Sequence, residues 1–108
     1  MVRELTVEQL AAKLTAAEAV VLLDVRQPEE HAVAALPGSI FIPLGELSAR
    51  ARELDVADGS QVVVYCHHGI RSRSGAAILE RLGFGNVVSL TGGIDAWSLR
   101  IDPRVTRY

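Results

Sequence analysis

Apolar positions along this chain recur with two periods, one suited to helices and one to buried strands. Residues 2–5 suit a short strand. Thr6-Val7-Glu8-Gln9 then opens a stretch in which Val7, Leu10, Ala11 and Leu14 fall at helical spacing, with Thr6 as N-cap and Gln9 reaching back in a capping box. Residues 19–25 are apolar except for Asp24, and their richness in valine and leucine predicts a strand buried on both faces. Asp24 and Arg26 thus fall at its carboxyl end. Pro28, followed by Glu29 and Glu30, marks a helix start, so residues 31–35 should form a short helix that ends before Pro37-Gly38. Residues 39–42 predict a brief strand stopped by Pro43, and Leu44, Leu47, Ala51 and Leu54 predict a helix after it. A turn at Asp58-Gly59 leads into a central strand from about Gln61. Gly75, Ile78, Leu79 and Leu82 share one face of a helix beginning near Ser72, with Gly83 as its C′ residue. Residues 87–90 form another short strand, Thr91-Gly92-Gly93 a flexible loop, and residues 94–99 a last helix stopped by Asp102-Pro103.

Strands thus alternate with helices, which predicts an α/β fold: a parallel sheet with helices on both faces. Residues 1–103 read as a single domain and residues 104–108 as a loosely attached tail on which Tyr108 could dock. At 108 residues the chain can bury one core, and 49% hydrophobic with 22% charged residues is an ordinary globular balance. Eleven basic against thirteen acidic side chains, with no basic cluster, argue against a nucleic-acid partner. No apolar run approaches membrane-spanning length and no secretory signal is visible, so no membrane partner and a cytoplasmic location are expected. The single cysteine excludes an internal disulfide and fits a reducing compartment.

That cysteine changes the picture most. Val62-Val63-Val64-Tyr65 would carry Cys66 to the carboxyl edge of the sheet, where open α/β sheets bind ligands, so the thiol should sit at a mouth and not in a core. His67-His68-Gly69-Ile70 then runs as a short loop into a helix. If its backbone N–H groups point inward they form an anion nest, backed by the helix dipole and by the charge of Arg71. Those surroundings favour a thiolate nucleophile, and the same donors would hold an anionic substrate or leaving group. Arg73 serves equally well as a second anion ligand or as a solvated side chain. His67 and His68 read as exposed loop residues that make the entrance titratable, not as general bases. One cysteine and two adjacent histidines cannot close a tetrahedral shell, so no metal site is expected.

Taken in order, Leu23-Asp24-Val25-Arg26, Pro28-Glu29-Glu30, Leu36-Pro37-Gly38-Ser39, Ile42-Pro43-Leu44, Tyr65-Cys66-His67-His68-Gly69-Ile70-Arg71-Ser72 and Leu90-Thr91-Gly92-Gly93-Ile94-Asp95-Ala96-Trp97 resemble a single-domain rhodanese, a sulfurtransferase. The resemblance covers nearly the whole chain. It implies an open, mainly parallel five-stranded sheet with helices on both faces, no cofactor, and a Cys66 that accepts sulfane sulfur as a persulfide and passes it on. It also implies that backbone N–H groups of residues 67–71 cradle the outer sulfur and that Arg71 closes the loop; Asp24 and Arg26 read most simply as a structural hydrogen-bonded pair behind that loop, with Ser72 and Arg73 as further supporting residues. Thiosulfate or a protein persulfide would be the donor, and cyanide, a thiol or a sulfur-carrier protein the acceptor. The Cys-His-His-Gly form and the ending from Asp102-Pro103 to Tyr108 look most like rhodanese domains that work with E1-like adenylyltransferases and ubiquitin-like sulfur carriers. A cysteine desulfurase would suit as protein donor. Ala34-Ala35 stand where the family often has Gly-His, which bears on packing more than on chemistry.

Two alternatives remain. One is a relay or interaction module that takes persulfide from one protein and yields it only to another. The other is a Cys-based phosphatase or arsenate reductase, whose loop places five residues between Cys and Arg; here four separate Cys66 from Arg71, position 72 is serine, and no second cysteine permits an internal disulfide step.

Overall fold

The computed structural model describes residues 2–108. Its strands are β1 (Arg3–Leu5), β2 (Val20–Asp24), β3 (Ile40–Phe41), β4 (Gln61–Tyr65) and β5 (Val87–Leu90), in the spatial order β1-β5-β4-β2-β3 and parallel throughout. The helices are α1 (Val7–Thr15), α2 (Pro28–Val33), α3 (Leu47–Arg50), α4 (Ile70–Arg81) and α5 (Gly93–Arg100). The five-stranded α/β sheet expected from the alternation is therefore present. Among the described residues no helix is long and apolar enough to cross a membrane.

The two-residue period of the inner strands divides the core into two layers. Leu23, Val62, Val64 and Val87 join Leu47, Ala51, Ala76 and Leu79 on the α3 and α4 face. Leu22, Val63, Tyr65 and Val88 join Leu10, Ile94 and Trp97 on the α1 and α5 face. Burial on both sides is why β2 and β4 read as continuous apolar runs and not as alternating ones.

Local chemistry sets most boundaries. Thr6 caps α1 as expected: Gln9 N–H donates to Thr6 Oγ1 at 3.1 Å and Thr6 N–H to Gln9 Oε1 at 2.9 Å. The helix expected over residues 31–35 instead ends at Val33, because Ala34 is extended and its carbonyl accepts from Arg26 Nη2 at 2.6 Å. The helix expected from Leu44 is α3 flanked by 3-10 turns at Leu44–Glu46 and Ala51–Glu53. Leu44 with Leu47, and Ala51 with Leu54, lie three residues apart, the spacing at which 3-10 side chains align, so the tighter winding keeps all four on the core. The fourth helix starts at Ile70, two residues before the expected Ser72, because Gly69 at φ 98° turns the loop directly into it.

Behind the carboxyl edge lies a fully buried ion pair. Arg26 Nε donates to Asp24 Oδ1 at 2.8 Å and its Nη2 to Oδ2 at 2.6 Å, with both side chains inaccessible. The His31 ring Nδ1 lies 2.8 Å from Asp24 Oδ2. Tyr65 hydroxyl accepts from Leu36 N–H and lies 3.3 Å from the same carboxylate oxygen. Burial opposes ionisation of Asp24, but the bonds from Arg26 and His31 outweigh it and hold the carboxyl below its ordinary value. The pair thus ties α2, β2, β4 and the residues before β3 together at one point.

Asp24→Asn leaves the buried guanidinium without its counter-charge and should cost about 3–5 kcal/mol in urea unfolding. Because the folded carboxyl titrates lower than the unfolded one, its contribution is full above the unfolded value and is lost as pH falls through the folded one. The variant's stability should accordingly depend less on pH in the acid range than the parent's does.

Candidate active site

Cys66 follows β4 directly and keeps the parity of Val62 and Val64, so its side chain turns toward the α4 face. The expectation of an open mouth is corrected here: Cys66 is 1% exposed and packs with the core cluster of that face. The reason is the loop itself, which folds its main chain over the sulfur. Gly69 N–H donates to Cys66 Sγ at 3.1 Å and Ser72 N–H at 3.3 Å. Ser72 Oγ lies 3.5 Å from Sγ and 2.7 Å from Ser89 Oγ, both serines being buried. Of the residues 67–71 expected to turn their N–H groups inward, Gly69 alone donates to Sγ, and Ser72, one residue beyond them in the first turn of α4, supplies the second donor.

What aims those N–H groups lies on the far side of the loop. Ile94 N–H donates to Cys66 C=O at 2.9 Å and Asp95 N–H to His67 C=O at 3.1 Å, so the amino end of α5 pulls the loop carbonyls outward. Gly93 sits at φ 60° against those carbonyls, where a Cβ would collide with Cys66 O and His67 O. The Thr91-Gly92-Gly93 segment, expected to be a flexible loop, is the seat of the Cys66 loop. Gly69 packs against the Gly92 main chain from the other side.

The rim differs more from expectation. Arg71 does not face the sulfur as a free cation: its Nη1 donates to Glu30 Oε1 at 2.6 Å and its Nη2 to Oε2 at 3.0 Å. Those bonds pull the Glu30 carboxyl down to about 2 and raise the Arg71 guanidinium further. Arg73 Nε donates to Gly69 C=O at 3.2 Å, so this side chain braces the loop. Ile70 is 71% exposed beside it. His68 is exposed as expected, with Nδ1 3.8 Å from Asp95 Oδ2. His67 is not: its ring lies between His68 and Tyr108, 3.9 Å from each centroid, with Nε2 buried and unpartnered. Burial, with His68 adding to it, holds His67 below the ordinary histidine value and so neutral near pH 7. Tyr108 hydroxyl accepts from Arg26 Nη1 at 2.7 Å and donates to Glu30 Oε2 at 2.9 Å.

Glu30, Tyr108, Ser89 and Gly93 are therefore site residues that the motif reading missed. Glu30 and Tyr108 lie 41 and 78 positions from the groups they engage, and nothing local marks those pairings. The sheet end opposite the cysteine carries a hollow of about 430 Å³ between Leu54, Val62 and Phe84, remote from this chemistry.

Residues 6–100 match the family model of the rhodanese-like domain. The chain belongs to the rhodanese-like family. It is 37% identical over 98 residues to a sulfurtransferase of Allochromatium vinosum, covering 91% of this chain and 90% of that protein. It is 36% identical over 95 residues to the putative sulfur carrier protein YrkF of Bacillus subtilis, covering 88% of this chain and half of that protein. It is 37% identical over 103 residues to the adenylyltransferase and sulfurtransferase uba4 of Ogataea parapolymorpha, covering 95% of this chain and a quarter of that protein. The chain thus spans half or less of two of these relatives. The structure superposes on a rhodanese-related protein of Thermoplasma volcanium with a TM-score of 0.82 and 32% identity, covering 98% of this chain and 99% of that one. The relatives thus include a sulfurtransferase, a putative sulfur carrier and an adenylyltransferase and sulfurtransferase, in line with the resemblance.

Removing the Tyr108 ring opens the buried face of His67 to water. In Tyr108→Ala the His67 ring should titrate at higher pH than in the parent, toward the ordinary histidine value, read from imidazole proton shifts across a pH series. An unchanged titration would mean that Tyr108 does not set the burial of His67.

Proposed function

We propose that this rhodanese-like domain is a sulfurtransferase that carries sulfane sulfur as a persulfide on Cys66. The observation that carries the reading is the pair of main-chain donors, Gly69 N–H and Ser72 N–H, aimed at the one buried sulfur. They stabilise a negative sulfur without a general base. Neither an imidazole nor a carboxylate hydrogen-bonds to Sγ among the described residues, and the ring of His67 is stacked away under Tyr108. That suits sulfane transfer from a thiolate, which abstracts no proton from the donor.

The steps balance as two displacements at sulfur. Cys66 thiolate attacks the outer sulfur of thiosulfate; the new Sγ–S bond forms as the S–S bond to the sulfonate breaks, and sulfite leaves with the bonding pair. With a protein persulfide as donor, as on a cysteine desulfurase, the leaving group is that protein's thiolate. An acceptor nucleophile then attacks the outer sulfur and Cys66 thiolate departs. Cyanide or a thiol fits that role; the activated terminus of a ubiquitin-like sulfur carrier is instead an electrophile, whose acyl carbon the outer sulfur itself attacks as the activating group leaves with the bonding pair, and a thiol then cleaves the resulting acyl disulfide to free Cys66.

A relay reading has its own support. The sulfur is 1% exposed, and the relatives include a putative sulfur carrier and an adenylyltransferase and sulfurtransferase. Exchange between proteins, with an E1-like adenylyltransferase supplying the activated acceptor, is the reading those relatives favour. A phosphatase reading fits less well, since Arg71 is engaged by Glu30 and four residues span Cys66 to Arg71.

Reduced protein treated with thiosulfate should gain one sulfur atom by intact mass, lost again on addition of cyanide or dithiothreitol. Cys66→Ser should gain none. If the parent gains none from thiosulfate but does from a cysteine desulfurase, the relay reading stands and the small-molecule one falls.

A further inference from the structure

Among the described residues, two of the three guanidinium groups on the rim of the Cys66 loop are paired with carboxylates, and the third, Arg73, rests by Nε alone on a neutral carbonyl. Both Nη atoms of Arg71 lie on Glu30, Arg73 Nε lies on Gly69 C=O, and Arg107 Nε donates to Asp95 Oδ1 at 2.9 Å. Glu30 is the most constrained of these partners. Its Oε1 accepts from Gln27 N–H at 3.0 Å as well as from Arg71, and its Oε2 accepts from Tyr108 hydroxyl at 2.9 Å as well as from Arg71. Tyr108 is in turn anchored by Arg26 Nη1, which belongs to the buried pair with Asp24. The carboxylate is thus fixed by four donors from three separate parts of the chain.

We propose that Glu30 is a specificity-determining residue that sets the donor class of this site, favouring a sulfane sulfur with at most one nearby negative charge, such as a persulfide, over the thiosulfate dianion. This rests on the sulfur-transfer reading above. The nest of Gly69 and Ser72 N–H groups suits the single charge of a sulfur anion. A second charge carried by the donor's own sulfonate finds the Arg71 guanidinium already neutralised by Glu30, and it meets that carboxylate as well, leaving Arg73 as the one rim guanidinium without a carboxylate partner among the described residues. Arg71 therefore closes the rim as half of a neutral pair and not as an anion ligand. Glu30 remains ionised throughout the neutral range because Arg71 pulls it down to about 2.

The test is a charge series of donors that all transfer one sulfur to Cys66. Thiosulfate carries two negative charges, methanethiosulfonate anion one, and a thiosulfonate bearing a quaternary ammonium none in net. Each leaves as sulfite or a sulfinate with the bonding pair. The readout is kcat/KM with cyanide as acceptor, for the parent and Glu30→Gln, at low and high salt. An amide at position 30 keeps acceptor and donor atoms for Gln27, Tyr108 and α2 while removing the charge.

A repulsion that scales with donor charge should raise thiosulfate kcat/KM about tenfold in the variant, the thiosulfonate anion about threefold and the zwitterion not at all. The gains should shrink at high salt. Tyr108→Phe, which keeps the ring on His67 and the Glu30 charge but loses one donor to that carboxylate, should leave thiosulfate no better a donor relative to the zwitterion than in the parent. Equal changes for all three donors in Glu30→Gln, no gain with thiosulfate in that variant, or an equal gain in Tyr108→Phe, would overturn the proposal while leaving sulfur transfer intact. If no donor forms a persulfide on the parent or the variants, sulfur transfer itself falls and the selectivity with it.

Discussion

The site depends on where two carbonyl groups point. A six-residue turn around a sulfur has as many C=O as N–H groups, and left to itself it would offer the sulfur both. Ile94 and Asp95 at the amino end of α5 take the carbonyls of Cys66 and His67, so what remains facing Sγ is donors. The helix needs partners for its free N–H groups and the loop needs its carbonyls removed; each satisfies the other. The close seat this requires is why Gly92 and Gly93, both in left-handed conformations, stand at the α5 entry. The parallel sheet makes the meeting possible, because β4 and β5 are neighbours and both release their chains at the same edge.

Around that nest the charges are arranged in pairs that cancel. Asp24 with Arg26, Glu30 with Arg71, and Asp95 with Arg107 descend from the buried interior to the surface. The innermost is a structural fixture whose value lies in what it holds: Arg26 also takes the carbonyl of Ala34 and the hydroxyl of Tyr108. A fully buried pair adds little net stability over an apolar replacement, yet removing one member leaves an uncompensated charge. The geometry it fixes reaches the rim through Tyr108, which bridges Arg26 to Glu30 and covers His67 in the same placement.

The elements that carry strong periodicity were legible from sequence. The apolar runs of β2 and β4, the Thr6 capping box and the alternation of strands and helices all follow from side-chain spacing and local hydrogen bonding, which a sequence states directly. The placement of Cys66 at the carboxyl end of β4, ahead of a glycine and a helix, was legible for the same reason, since strand, glycine and helix are consecutive. Burial of Cys66 was not, because a residue just past a strand end can face solvent or core, and the choice turns on strand parity and on how the loop closes. The Arg71 partner was hidden too: Pro28-Glu29-Glu30 announces a helix start, and Glu30 does cap it, but nothing local says that the same carboxylate reaches a helix 41 residues later. Tyr108 read as part of a tail because a lone aromatic after Asp102-Pro103 has no periodic neighbours; its placement comes from Arg26, Glu30 and His67, three residues distant in sequence.

The recessed thiol and a chemistry that must reach other molecules are compatible because of where an added sulfur can go. Inward of Sγ lie Ser72 and Ser89, hydrogen-bonded to each other, and the apolar side chains of the α4 face. That space is filled, and enlarging a packed core is costly. In a persulfide the outer sulfur must therefore extend toward the loop side, where the rim pairs stand. Transfer is then confined to the atom that is to be moved, while the sulfur that stays covalently attached keeps its two donors throughout. On the sulfur-transfer reading proposed above, the Cys66 loop would thus hold the attached sulfur while the rim pairs face whatever approaches the outer one.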